Sequence, residues 1–216
     1  GLANKGISAD GDLVMSDGNV QVSSSSDGDT YVNEDGELDA YVSTCLTADG
    51  DLSITGGTVI TSSSGSAGKG LSADMCTYFG TGTSSPDIQI TTTGNSIYIS
   101  GFGNDAKYAE AKAIKSDSTL VIESGNINIS SADDGIKSEW AIDINGGIID
   151  ITTSVEGLEA PFITINDGEI HIFATDDCIN TTFGFGGEED DGSLLKVMGG
   201  YIAVSTSGGD GLDGNG

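Results

Sequence analysis

Aliphatic residues recur along this chain in a fixed three-part phrase, and the phrase restricts the chain to one kind of architecture. Its clearest copies are Gly135-Ile136-Lys137-Ser138, Ile142-Asp143-Ile144, the turn Asn145-Gly146-Gly147 and Ile149-Asp150-Ile151, followed by Gly157-Leu158-Glu159-Ala160, Ile163-Thr164-Ile165, Asn166-Asp167-Gly168 and Ile170-His171-Ile172. Ile136 and Leu158 stand 22 residues apart. Apolar and polar residues alternate within each part, which is the period of a strand and not of a helix. Three short strands cannot bury their aliphatic faces alone, whereas repeats stacked as rungs bury them in one long, thin column.

Aligned on the first aliphatic, the rungs begin at Ile7, Leu46, Leu71, Ile114, Ile136, Leu158, Ile179 and Leu212. The gaps are 39, 25, 43, 22, 22, 21 and 33 residues, so some rungs carry insertions, placed near 24–43, 75–86, 102–111 and 182–193. Second-strand pairs are read at Leu13/Met15, Leu52/Ile54, Ile88/Ile90, Leu120/Ile122, Ile142/Ile144, Ile163/Ile165 and Leu195/Val197. Third-strand pairs are read at Val20/Val22, Val59/Thr61, Ile97/Ile99, Ile127/Ile129, Ile149/Ile151, Ile170/Ile172 and Ile202/Val204. The expected fold is an all-β parallel solenoid, one domain over residues 1–216 with seven to eight rungs of three strands. Leu212 opens a rung that Gly216 cuts short, which predicts further chain beyond it.

The 34 acidic residues face only 7 lysines and no arginine, a formal net charge of -27. This balance argues against nucleic acid as a partner, because phosphate binding is dominated by Lys and Arg. No apolar run has the length of a membrane span, no signal peptide opens the chain, and a monomer is expected. Only 2 prolines among 216 residues agree with strands that need every backbone donor.

The rung index turns this charge into columns. Two places before the first aliphatic stand Asp134, Glu156, Asp177 and Asp210 in the C-terminal rungs, but Lys5, Lys69 and Lys112 earlier. One place after it stand Lys137, Glu159, Asn180 and Asp213, with Asp133 and Asp176 at the adjoining turns. Carboxylates one strand spacing apart repel unless a cation bridges them. Oxygen donors of this kind suit Ca2+, which accepts six to eight of them in relaxed geometry. The expected metal set is Asp133, Asp134, Glu156, Glu159, Asp176, Asp177, Asn180, Asp210 and Asp213. Zinc is disfavoured, because the three cysteines and one histidine lack ligand spacing. A further acidic set, Asp10, Asp49, Asp74, Asp117 and Glu139, reads as turn chemistry.

The succession Ala113-Ile114-Lys115-Ser116, Asp133-Asp134-Gly135-Ile136-Lys137-Ser138-Glu139, Glu156-Gly157-Leu158-Glu159-Ala160-Pro161 and Gly209-Asp210-Gly211-Leu212-Asp213-Gly214-Asn215-Gly216 resembles the bacterial carbohydrate-binding β-helix proteins of cellulolytic clostridia. The resemblance implies a right-handed parallel β-helix similar to pectate-lyase-like folds, bound calcium, and recognition of cell-wall polysaccharide such as cellulose and polygalacturonate. It also implies export, as a secreted or cell-surface protein. The chain departs from the pattern at Cys178-Ile179, where other rungs favour Gly before the aliphatic.

Trp140 and Phe162 each stand four places after a first aliphatic and are the candidate sugar-stacking residues, against packing beneath the adjoining turn. The insertions add Tyr31, Tyr41, Tyr78, Phe79, Phe102, Tyr108, Phe183 and Phe185, and the last holds the run Glu188, Glu189, Asp190, Asp191. The enzymatic alternative is a calcium-dependent pectate lyase with Lys115 or Lys137 as base, although surrounding acids raise a lysine pKa where a base needs it lowered. A third reading is a structural spacer or adhesin stapled by calcium. His171, the only histidine, has no recognisable nucleophile partner.

Overall fold

Three parallel sheets, each taking one strand from every rung, run the length of the molecule. The structure is a computed structural model that describes residues 5–103, 106–184 and 190–215. Phe185, Glu188, Glu189 and Gly216, singled out above, lie outside the described residues. The first sheet has eight strands, from Ile7–Ala9 through Ile136–Ser138 and Leu158–Ala160 to Asp213–Gly214. The second and third have seven each, including Ala141–Ile144 and Ile148–Thr153 of one rung. This is the parallel β-helix that the repeat requires.

Register follows the aliphatics. Ile7 pairs with Leu46, Leu46 with Leu71, Leu71 with Ile114, Ile114 with Ile136, Ile136 with Leu158, and Leu158 with Ile179. A slip of one residue would turn each aliphatic outward, so burial specifies the pairing. Ile114, Ile136, Leu158 and Ile179 are all fully buried in a single core that the three sheets enclose. The residue just before them must be small. A Cβ built on Gly135 would lie 2.7 Å from the Gly157 carbonyl oxygen and 2.8 Å from Ile151 Cδ1. Cys45 and Cys178 fill the same slot elsewhere, buried and free of disulfides. Between the second and third sheets the chain turns through glycines with left-handed φ, among them Gly147 at 95° and Gly168 at 114°, where other residues are strained.

One rung differs from the sequence reading. Its second strand is Thr77–Phe79, in register with Leu52–Ile54 and Thr119–Ile122. Ile88 and Ile90 therefore belong to the third sheet, opposite Val59/Thr61 and Ile127/Ile129. Ile97 and Ile99 leave the solenoid as the strand Ile97–Ser100, an antiparallel hairpin with Lys107–Ala109. Phe79 causes the difference: fully buried, it takes the core position that an aliphatic fills in other rungs, so the segment 75–86 is mostly rung and not insertion. The insertion near 24–43 forms a second hairpin, Asp29–Val32 with Leu38–Tyr41. Both hairpins branch off where the third sheet returns to the first, and they pack against one another.

Candidate functional site

The outward faces of the first-sheet strands form a row of charge. Lys115, Lys137, Glu159, Asn180 and Asp213 occupy consecutive rungs in direct register. Beside this row runs the column Lys69, Lys112, Asp134 and Glu156, set by the residue two places before each first aliphatic. The two columns and the hairpin of Ile97–Ser100 with Lys107–Ala109 border an open groove of about 550 Å³, with Tyr108, Glu110, Asp133 and Glu139 on its rim.

Lys112 is the pivot. Its ammonium lies 2.7 Å from Glu110 and 2.7 Å from Asp133, and it also pairs with Asp134. Burial alone would lower its pKa, but Asp134, Asp133 and Glu110 outweigh burial and raise it above the ordinary lysine range. Lys137 pairs with Glu159. Lys115 contacts Asp117 at 2.5 Å and Glu139 at 3.4 Å; these acids overcome its burial and raise it as well. The lysines named as possible proton acceptors are thus held in ion pairs, Lys115 the more firmly protonated for it.

Asp134, Glu156 and Glu159 present oxygens within 4.8 Å of one another, as do Glu110, Asp133 and Asp134. Asp134 is only 4% exposed. Burial, partly offset by Lys112, pushes its carboxyl up to about 7. Burial followed by Glu159 and Asp134 pushes Glu156 up to about 9. Glu159 moves the other way, because Lys137 outweighs its burial. Lys112 serves Glu110, Asp133 and Asp134, Lys137 serves Glu159, and Glu156 has no ammonium partner, so carboxylate is in excess and Glu156 keeps a proton near neutral pH.

That arrangement can hold a metal ion. The Asn180 amide nitrogen donates to Glu156 Oε1 at 3.1 Å, while Asn180 Oδ1 and Glu156 Oε2 are buried with no hydrogen-bond partner among the described residues. Asp134, Glu156, Glu159 and Asn180 therefore fit a hard cation: the donors are all oxygen, two are unsatisfied, and carboxylates outnumber the ammonium groups around them. Of the other expected ligands, Asp133 sits at the edge with Lys112. Asp176, Asp177, Asp210 and Asp213 join neither three-carboxylate group. Asp177 instead accepts the Asp210 backbone N–H at 2.6 Å. Sequence reasoning passed over Glu110 and the bridging role of Lys112, although Lys112 next to Asp134 in one column was a legible opposite-charge pair.

The family model described as "Carbohydrate-binding domain-containing protein" matches residues 2–157 of the 216. The chain belongs to this carbohydrate-binding family. No curated protein and no solved structure matches it. The segment matched by the carbohydrate-binding family contains Glu110, Lys112, Asp133, Asp134 and Glu156, while Glu159 and Asn180 follow it.

An aromatic row lies at the corner between the first and second sheets. Trp140 and Phe162 meet edge to face with ring centroids 5.1 Å apart, and Phe183 continues the row 5.5 Å from Phe162. Trp140 is 54% exposed, so the row is not simply packed beneath a turn. Phe183 was read as loop, yet it stands four places after Ile179, the same offset as Trp140 and Phe162. Asp191 fixes it, accepting the Phe183 N–H at 2.8 Å and the Ser193 N–H at 2.9 Å.

Proposed function

We propose that this chain is a non-catalytic, calcium-dependent binding module for plant cell-wall polysaccharide, cellulose or polygalacturonate, displayed at the bacterial cell surface. The observation that carries the reading is the Asp134–Glu156–Glu159 group, with carboxylate in excess of ammonium and open to a groove on a solenoid face. Calcium would supply positive charge and coordination positions for glycan hydroxyl or carboxylate oxygens. Asp134, Glu159 and Asn180 orient the donors, Glu156 gives up its proton to admit the ion, and Lys112 and Lys137 keep the flanking carboxylates from repelling one another. Trp140, Phe162 and Phe183 offer apolar ring edges and faces to uncharged sugar units.

The ion pairs of Lys115 with Asp117 and of Lys137 with Glu159 argue against their service as the base of a lyase, since each ammonium is already engaged by a carboxylate. Incubation with polygalacturonate and calcium at alkaline pH is accordingly expected to give a flat absorbance trace. The test of the main reading is a pull-down on insoluble cellulose and on a polygalacturonate gel, with calcium and with chelator. Retention on at least one matrix that chelator abolishes is expected; retention no greater than that of a control protein overturns the reading.

A further inference from the structure

Lys69 breaks the pattern of paired lysines around the groove. It opens the strand Lys69–Ala73, between Thr44–Ala48 and Ile114–Ser116, and points to the side where both hairpins stand. Among the described residues it has no ion pair and no side-chain hydrogen bond, whereas Lys112 has three acidic partners and Lys115 has two. It lines a cavity of about 230 Å³ that adjoins the groove, sharing Tyr108, Glu110, Lys112 and Lys115 with it, and that is walled by Asp39 of one hairpin and Ile99 and Tyr108 of the other.

The charged groups that face this cavity are already engaged. Glu110 is 2.7 Å from Lys112. Asp39 accepts the Tyr31 hydroxyl at 3.1 Å and the Ala40 N–H at 2.7 Å. Lys112 and Lys115 also border the cavity, each with its charge already met by carboxylates. Lys69 alone is a half-buried cation with no counter-ion, which is costly unless an anion completes it. The two hairpins, both insertions into the rung pattern, enclose the space that such an anion would fill.

We propose that this cavity is an oxyanion-binding site in which Lys69, flanked by Lys115, receives a carboxylate, phosphate or sulfate group. The site needs no calcium; its glycan arm rests on the carbohydrate reading above, and its inorganic arm does not. Its ligand comes from one of two sources: the carboxylate of an acidic sugar within a glycan, or a free inorganic oxyanion. Burial, then Lys115 and Lys112, push the Lys69 pKa down to about 8, with Asp117 and Glu110 opposing. An anion that binds the ammonium must raise that value, and affinity must fall as pH rises through it.

The experiment is calorimetry on the whole chain near neutral pH with chelator present, titrating a galacturonate trisaccharide and, separately, sodium phosphate. At least one is expected to bind saturably, and the tighter of the two identifies the source. Lys69→Met is expected to weaken that binding about tenfold or more, Lys69→Arg to retain it, and Lys196→Met to leave it unchanged. Absence of saturable binding by either ligand, or a Lys69→Met variant that binds like the parent, overturns the proposal. Should Lys69→Met fail to fold, NMR titration of lysine side chains in the parent chain decides: a Lys69 midpoint that rises on addition of the anion supports the site, and an unmoved midpoint rejects it.

Discussion

At the scale of single residues, two buried threonines test how the core is held. Thr61 stands in an aliphatic column between Val22 and Ile90, and Thr77 between Leu52 and Leu120. Both hydroxyls are buried without a partner among the described residues. Valine keeps the shape and removes the unsatisfied group, so Thr61→Val and Thr77→Val should each stabilise the chain by about 1 kcal/mol in chemical denaturation. Ile142→Ala should cost about 2–5 kcal/mol in the same assay, because neighbouring rungs cannot close around the void. Glu156 supplies a pH test. Its carboxyl titrates at about 9 in the folded chain against an ordinary 4.5, so the folded state binds the proton more tightly. The resulting stability is fully present below about 4.5 and is lost as pH rises through about 9. Asp134, raised to about 7, acts in the same direction. The melting temperature without divalent ions should therefore fall from about pH 5 to about pH 8, and Glu156→Gln should flatten the decline.

At the scale of elements, strand alternation and rung period were legible because a parallel ladder stacks like on like, and the first aliphatics from Ile7 to Ile179 paired as their positions in the repeat required, whereas Leu212 lies outside the last strand and is half exposed. The exception was the rung with Thr77–Phe79. A search for alternating aliphatics passes over a strand whose core residues are threonine and phenylalanine, so Ile88/Ile90 are read into the second sheet instead of the third, and Ile97/Ile99 into the third sheet instead of the hairpin. The turns were legible for a backbone reason, since Gly147 and Gly168 adopt a φ that only glycine tolerates cheaply. Gly147→Ala should cost about 1–3 kcal/mol, measured by denaturant melts. The candidate site was legible only in part. Column offsets placed Asp134, Glu156 and Glu159 together, but Glu110 comes from a hairpin whose path the rung period does not determine. Lys69 was visible as a departure in the acidic column, while its isolation depends on where two insertions fold.

At the scale of the whole molecule, the net charge of -27 is distributed unevenly, and what matters is where lysine runs short of carboxylate and where carboxylate outnumbers lysine. Along the first sheet the balance shifts from lysine at Lys69, through the paired Lys112 and Lys137, to an uncompensated Glu156. The proposed function rests on this gradient: the acidic end would draw the cation that an otherwise repulsive surface needs before it can approach an anionic glycan. The Trp140–Phe162–Phe183 row should matter for uncharged sugars alone. Trp140→Ala is expected to reduce retention on cellulose and to leave calcium affinity unchanged. The most direct measurement of the central claim is a calcium titration by calorimetry near neutral pH, in two buffers of different ionisation enthalpy. The expected result is saturable binding that releases about one proton per chain, from Glu156, with affinity weakened about tenfold or more in Glu156→Gln. Calcium binding with no proton release, or with equal affinity in Glu156→Gln, would contradict it.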